Sequence, residues 1–540
     1  MTTRITVFFS LLLLLGVNIR AQQHGQGGMS EQLTKLMFSN NLINHCYVDS
    51  VNEVKVVEAA IKAMLKQLDP HSTYSDPKEV KSFMESMQGN FEGIGVQFNI
   101  VEDTLFVIQT TPNGPSERAG ILAGDRIVAV NDTAIAGVKM ERGDIMMRLR
   151  GPKGSQVKID VVRRGVAVPL VFNLIRDKID TYTVDAAYMI DKKNGYIRIS
   201  QFGANTHAEF VAKLDSLKER GMKNLILDLQ GNGGGYLNAA VDIANEFLDR
   251  AQLVVYTEGR VSPRYDYLAK GGGRFTKGNV AVLIDETSAS AAEILAGAIQ
   301  DWDRGVVVGR RSFGKGLVQR SFPIPDGSMI RLTIARYYTP SGRNIQKPYN
   351  DSIPYADDLM HRYNSGELMS ADSIHFPDSL KTFTKRLGRT VYGGGGIMPD
   401  YFIPLDTNRY TKYHRDLVRS GSILQASLRY IDENRKTLQS LYPTMESFSK
   451  NFIVDEELLS RVREQGERDS VKIAGGEDEY QRSLPQIGRQ LKALIARDLW
   501  NISEYLEIFN REEEVFIKAL ELVGERNMDA VLLKKRKQGK

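Results

Sequence analysis

The stretch from Asn279 to Gln300, NVAVLIDETSASAAEILAGAIQ, constrains the fold more than any other. Val280 to Ile284 is apolar at every position, as in a strand buried on both faces. A short polar turn follows, then small and aliphatic residues with Ile294, Leu295 and Ile299 on one helical face. The alternation recurs from about 180 to 405. NGYIRISQF, KNLILDL, QLVVYTEG, GVVVGR and MIRLTIARYYTP read as strands, AEFVAKLDSLKERG and YLNAAVDIANEFLD as helices. Strands alternating with helices predict an α/β region, a sheet with helices on its faces.

Within the opening stretch, Ser290 with Glu293 three residues on fits a capping box. On this stretch alone the cap is the simpler reading of Ser290. A serine on a sharp turn between strand and helix is also how a nucleophile is presented. Backbone N–H groups at such a helix start can stabilise an oxyanion.

The chain has 540 residues, 42% of them hydrophobic, enough to build several domains with sizeable cores. Its net charge of +5 lacks a basic, aromatic-rich patch, so nucleic acid is not an expected partner. Cys46 is the single cysteine, which excludes an intrachain disulfide and argues against a zinc cluster. His71 lies in a turn and His207 near a helix start, neither in the context of a base, and no H-E-x-x-H spacing occurs. Neither metal nor cofactor is expected.

Arg4, the short apolar run ITVFFSLLLLLGV and a small residue near a plausible cut read as a secretory signal over residues 1–21, cleaved after Ala21. The run is short against the ~20 apolar residues of a membrane span, which makes an uncleaved anchor the lesser reading. The expected location is the periplasm or cell envelope.

Residues 22–88 read as a helical region. Residues 89–176 switch to short strands with two helices, NGPSERAG and ERGDIMMRLR. The α/β region, 177–405, is interrupted from Tyr349 to about Val391 by a polar, irregular segment expected as an insertion or surface loop. GGGGIMPD marks a tight return to the core, and residues 406–540 are mainly helical.

Three stretches besides the Ser290 turn could carry chemistry. RSFGKGLVQRSF places Lys315 25 residues after Ser290 and Gln319 four after Lys315. A buried lysine can act as general base because desolvation disfavours its charged form, and Ser-Lys pairs are a known variant of triad logic. Gln319 could then orient the lysine; the plain alternative is a surface lysine between glycines. The loop in DLQGNGGGY lacks the ending of a P-loop but would let a backbone N–H approach a substrate carbonyl. FEGIGVQF reads as a loop, Gly93, Ile94, Gly95 and Val96, whose N–H groups could hold a terminal carboxylate beside an edge strand. Ile145, Met146 and Leu149 could line the side-chain pocket, or these residues are turn and core only.

Taken in order, these stretches resemble the C-terminal processing peptidases, or tail-specific proteases, over about residues 35 to 405. LDPHSTY and FEGIGV resemble the approach to the family's PDZ domain, and GPSERAGILAGDRIVAVND its body. LDLQGNGGGYL resembles the glycine-rich loop, with Gln230 where arginine is common and Gly233 where proline is common. TSASAAEILAGAIQD resembles the nucleophile motif, with Ala292 in place of a frequent third serine. FGKGLVQ, ARYYTPSGRNIQ and GGGGIMPD resemble the later core motifs.

The resemblance implies an α/β multidomain chain with an N-terminal helical region, a PDZ domain, a serine peptidase core and a C-terminal helical region. It implies Ser290 as nucleophile, Lys315 as general base and Gln319 as its orienting partner. The N–H groups of Ala291 and Gly235, or alternatively Gly234, would form the oxyanion hole. Implied partners are proteins with unfolded apolar C-termini and a second copy of the chain; an adaptor is compatible with this reading. A binding protein with an inactive site is disfavoured by intact Ser290, Lys315 and Gln319. A histidine-triad protease is disfavoured by the lack of a base histidine and of a G-x-S-x-G stretch.

Overall fold

The computed structural model describes residues 30–349 and 354–534, so the expected signal segment lies outside the described residues. No helix among the described residues is long and apolar enough to cross a membrane. The chain divides into two compact units between Tyr74 and Ser75.

The first unit contains helices α1 (Glu31–Cys46) and α2 (Glu53–Lys66), capped by the side chains of Ser30 and Asn52. Asn40 and Asn44 both donate to Glu53 at the start of α2, at 3.1 Å each.

The second unit opens with α3 (Pro77–Gln88). A capping box between Asp76 and Glu79 and a proline in the first turn start this helix, and Gly89 at φ 68° ends it. The Met87 carbonyl then accepts the N–H of Ala204, which fixes this end of α3 to the α/β region.

An antiparallel sheet follows, with strands β1 (Val96–Val101), β2 (Thr104–Thr110), β3 (Arg126–Val130), β4 (Gln156–Val162) and β5 (Leu170–Ile175) in that order. Helices α4 (Pro115–Ala119) and α5 (Arg142–Leu149) complete the domain. Leu105, Val107, Ile127, Ile159 and Val161 form its core with Ile94 and Ile145. β2 is apolar at four consecutive positions because both its faces are covered. Leu105 and Val107 face this core, while Phe106 and Ile108 pack against Leu428 of the later helix α9 (Ser422–Leu441). Asp432 of α9 accepts Arg126 at 2.8 Å and Arg164 at 3.2 Å beside that cluster.

The α/β region is built on a sheet of six strands. They are β6 (Ala186–Met189), β7 (Asn194–Arg198), β8 (Asn224–Asp228), β11 (Val280–Ile284), β12 (Val306–Gly309) and β15 (Tyr401–Phe402), in that order. Only β6 runs antiparallel to its neighbour. Helices α6 (Thr206–Glu219), α7 (Leu237–Asn245) and α8 (Ala291–Asp301) cover one face. Helix α10 (Glu514–Gly524) covers the other, with Phe516, Ala519 and Val523 against Tyr196, Ile226 and Leu283. This double cover is why β11 is apolar throughout. A second antiparallel sheet joins β9 (Leu253–Gly259), β10 (Ser262–Leu268), β13 (Leu317–Pro323) and β14 (Met329–Tyr338), with β14 between β13 and β9. β10 carries exposed polar residues and so has no apolar signal in the sequence.

The segment from Tyr349 to Val391, expected as an insertion or surface loop, is exposed over most of its described length but carries regular structure. Its described part holds a helix, Asp358–Asn364, and a hairpin pairing Lys381–Phe383 with Thr390–Tyr392. Arg362 is 2% exposed and shares Glu367 with Arg311, at 2.7 Å on each side. Arg362 also donates to the carbonyls of Arg311 and Ser312, just before Lys315. Part of the polarity that suggests a loop belongs to this buried charge network, and most of the segment's other charged residues are exposed.

The contact between β2 and α9 gives a first prediction. Leu428→Ala removes a buried side chain from a cluster of three, at a cost of about 2–3 kcal/mol. Limited proteolysis should show the β1–β5 domain cut sooner in Leu428→Ala than in the wild type, with the α/β core unchanged. Equal cutting rates would mean that this contact does not hold the domain.

Candidate active site

Three loops meet at the C-terminal ends of neighbouring parallel strands, where open α/β sheets place their ligands. The glycine-rich loop leaves β8, the serine turn leaves β11 and the lysine loop leaves β12, and these strands are adjacent in the sheet. Adjacency in the sheet brings residues near 232, 290 and 315 together.

In the serine turn, Asp285 accepts the N–H groups of Thr287 and Ser288, and the Ser288 hydroxyl donates to the Leu229 carbonyl at 2.8 Å. The Ala289 N–H donates to the Asn232 carbonyl at 2.9 Å. Ser290 then adopts φ 55°, ψ −112° before α8 begins at Ala291. For a residue with a Cβ this conformation costs roughly 1–3 kcal/mol and persists only where its surroundings enforce it.

Glu293 supplies much of that enforcement. It is fully buried, and its Oε2 accepts the N–H of Ser290 at 2.8 Å and the N–H of Lys315 at 2.9 Å. Its Oε1 accepts the Ser312 hydroxyl at 2.5 Å and the Gly314 N–H at 2.7 Å. Burial pushes its carboxyl above the usual range, and these donors oppose that rise. The capping half of the sequence reading is therefore real, and the same carboxylate reaches the lysine loop. Tyr337 on β14 mirrors it, its hydroxyl lying 2.6 Å from the Lys315 carbonyl and 3.2 Å from the Ser290 carbonyl.

The glycine-rich loop is held by Asn232, fully buried, which donates to the Ile199 carbonyl and accepts the Gly234 N–H, both at 2.8 Å. Gly234 lies against the serine turn: a Cβ there would sit 2.7 Å from the Ser290 Cβ. A Cβ on Gly235, at φ 144°, would sit 2.1 Å from the Phe202 carbonyl oxygen. Phe202 bonds on either side of Gly235, to the Gly234 carbonyl and the Tyr236 N–H. Asn232 occupies the Gly234 N–H, whereas the N–H of Gly235 has no partner among the described residues.

Lys315 stands just before β13, and Gln319 lies on β13 after a register irregularity at Val318. The Gln319 amide donates across the hairpin to Thr333 Oγ1 at 3.2 Å. Ser290, Ala291, Gly234, Gly235, Lys315 and Gln319 all line one cavity of about 720 Å³. Phe83, Met84 and Met87 of α3 line it as well, and Tyr337 and Arg331 reach it from β14. Of these contributors, Tyr337 alone falls in a motif noted in the sequence, ARYYTPSGRNIQ. His207 is absent from that lining and pairs with Glu246 at 2.9 Å.

A second groove, of about 260 Å³, lies between β1 and α5, with Ile94, Gly95, Val96, Met146 and Leu149 in its lining. Ile145, expected beside them, is 2% exposed and belongs to the domain core, because it faces inward where Met146 faces the groove. Gly93 ends the preceding strand, Asn90–Gly93, and is outside the lining.

Compared with known proteins, residues 193–352 match the model of Peptidase family S41 and residues 106–163 a PDZ domain. Residues 16–79 match the N-terminal domain of the activating protease CtpB, and residues 413–501 a family of unknown function. A carboxy-terminal-processing protease of Bartonella bacilliformis is 36% identical over 56% of this chain and 69% of its own length. The carboxy-terminal processing protease CtpA of Bacillus subtilis is 33% identical over 65% of this chain and 76% of its own. A solved photosystem II D1 C-terminal processing protease is 28% identical over 59% of this chain and 91% of its own, at a TM-score of 0.34.

Glu293→Gln keeps the side chain's shape but turns an NH₂ toward donors. With buried bonds to a charged group each worth about 1.5–3 kcal/mol, unfolding should require about 3 kcal/mol less. Denaturant titration reads that loss; peptide turnover should fall at least about tenfold in kcat with KM nearly unchanged, since ~1.4 kcal/mol is tenfold in rate. Unchanged kcat would show that the clamp leaves the serine and lysine in place without this carboxylate.

Proposed function

The chain belongs to the carboxy-terminal processing proteases of peptidase family S41, is a serine-type peptidase carrying a PDZ domain, and, we propose, cleaves exported proteins near their C-termini with Ser290 as nucleophile and Lys315 as general base. One observation supports this most. Ser290, held at a positive φ at a helix start, and Lys315 donate their N–H groups to the same oxygen of Glu293 and line one cavity.

A lysine is a base only when its amine is neutral, which removal from water favours. Neutral Lys315 takes the proton of the Ser290 hydroxyl as the oxygen attacks the scissile carbonyl. The N–H groups of Ala291 and Gly235 stabilise the oxyanion, a contribution of about 3–4 kcal/mol per donor. Protonated Lys315 returns its proton to the leaving amine, and an acyl-enzyme remains. Water, deprotonated by Lys315, then releases the acyl group. Gln319 orients the lysine from β13.

The Gly93–Val96 loop receives the substrate's terminal carboxylate. β1 is an edge strand of its sheet, so its free side can pair with an extended tail while Met146 and Leu149 take apolar side chains. Residues 1–21 direct export to the periplasm or cell envelope. The exposed Met37 and Phe38 of α1 support a homodimer, and an adaptor delivering substrates is compatible with the groove.

The test is cleavage of an unfolded reporter with an apolar tail, free or amidated, by wild type, Ser290→Ala and Lys315→Ala. Wild type alone should cut, with both variants down by at least about 10³-fold, as for removal of a member of a catalytic set. Amidation should slow it. Equal cutting by Ser290→Ala would remove Ser290 as nucleophile.

A further inference from the structure

Arg331 lines the same cavity, away from the reacting pair. Arg331 and Tyr337 both reach this cavity from β14, with Ser321 opposite Arg331 across the hairpin. Arg331 lies six positions before Tyr337, whose hydroxyl touches the Ser290 and Lys315 carbonyls. At ~3.3 Å per residue, a substrate extended along this strand would reach Arg331 several residues from the scissile bond.

The surroundings of this guanidinium lack what a structural arginine has. It lies over the Phe83 ring at 4.7 Å, and its Nε is shielded from solvent without a hydrogen-bond partner among the described residues. Among the described residues no carboxylate forms an ion pair with it, and no aspartate or glutamate lines the cavity. The charged side chains of the lining are Lys315 and Arg331. Arginine stays protonated, so the charge is permanent, and its planar fork matches a carboxylate through two parallel bonds. Arg311, Arg343, Arg362 and Arg389 have carboxylate partners, and the buried Arg176 is satisfied instead by the carbonyls of Arg148, Leu149 and Gln156 and by Ser155.

We propose that Arg331 is an anion subsite of the cleft that binds a carboxylate of the substrate several residues from the cleaved bond. Phe83 and Met84 beside it make the preferred segment an acid flanked by apolar residues. The carboxylate is either an Asp or Glu side chain or the free end of a short tail. This rests on reading the cavity as catalytic.

The test uses two peptide series with wild type, Arg331→Gln, Arg331→Lys and Arg331→Glu. One series is C-terminally amidated, with Glu, Gln or Lys scanned through each position. The other lacks acidic side chains and has a free or amidated end at increasing distance from the cut. Wild type should prefer one carboxylate position by ~10-fold in kcat/KM, as one charge-assisted contact supplies. Arg331→Gln should abolish the preference. Arg331→Lys should keep part of it, which lost packing on Phe83 would not do, and Arg331→Glu should turn it toward Lys-containing peptides. The series that responds identifies the source of the carboxylate. Binding of the same peptides to Ser290→Ala proteins bearing each Arg331 substitution, read by fluorescence anisotropy, should show the same preference without turnover. A wild type indifferent to carboxylates in both series, or a preference that survives Arg331→Gln, overturns the proposal. Cleavage retained by Ser290→Ala would instead overturn the catalytic reading.

Discussion

A carboxylate removed from water must be met by donors or lose its charge, and Glu293 meets this demand with two loops at once. Its two oxygens take up N–H and hydroxyl groups from the turn after β11 and the loop after β12. Neither loop can shift without stranding a buried charge. Tyr337 fixes the opposite side by giving its hydroxyl to the carbonyls of the same two residues. Ser290 and Lys315 are thus joined through both their N–H and their C=O groups. The backbones of the two residues are thereby held in a fixed relation to one another.

The third loop is locked by shape as much as by bonds. Gly234 fits against Ser290 because no Cβ intervenes, and Asn232 ties that glycine to the Ile199 carbonyl beyond β7. The carbonyl of Asn232 meanwhile accepts Ala289, the residue before Ser290. The unfavourable φ of Ser290 is thereby enclosed on one side by the glycine loop and on the other by Glu293. The local cost is offset by interactions reaching three different strand ends, so preorganisation here is a property of the sheet.

Much of this is legible in the chain. The apolar run of β11, the Ser290–Glu293 spacing and the glycine loop each have a local physical cause, and local causes leave a pattern in sequence. Arg331 leaves none, and Tyr337 and Asn232 lie in noted motifs that give no sign of their roles, since these come from what the topology sets opposite them. The same limit explains the segment around Arg362, where polarity mimics exposure. Hydrophobic periodicity registers burial by apolar side chains, and Arg311, Arg362 and Glu367 are buried by satisfying one another. The pattern of β2 holds more than a strand assignment: four apolar residues in a row require a second covering surface, and α9 provides it.

Helix α3 makes the two grooves geometrically dependent. Its Phe83, Met84 and Met87 form an apolar wall of the cavity that holds Ser290, and its Glu85 pairs at 2.8 Å with Arg150, which lines the groove beside β1. Arg150 also lies over the Phe91 ring at 4.6 Å, so it is held by more than the ion pair. The end of α3 is pinned to the core through Met87 and Ala204. A partly exposed ion pair is worth about 1 kcal/mol or less, and the back of the β1–β5 domain adds a cluster of three apolar side chains. Parting Arg150 from Glu85 costs little, whereas tilting α3 about its pinned end would move the apolar wall. The half of the Ser290 cavity built on the parallel sheet is held by the bonds around Glu293 and Asn232, while its apolar wall rests on a single helix.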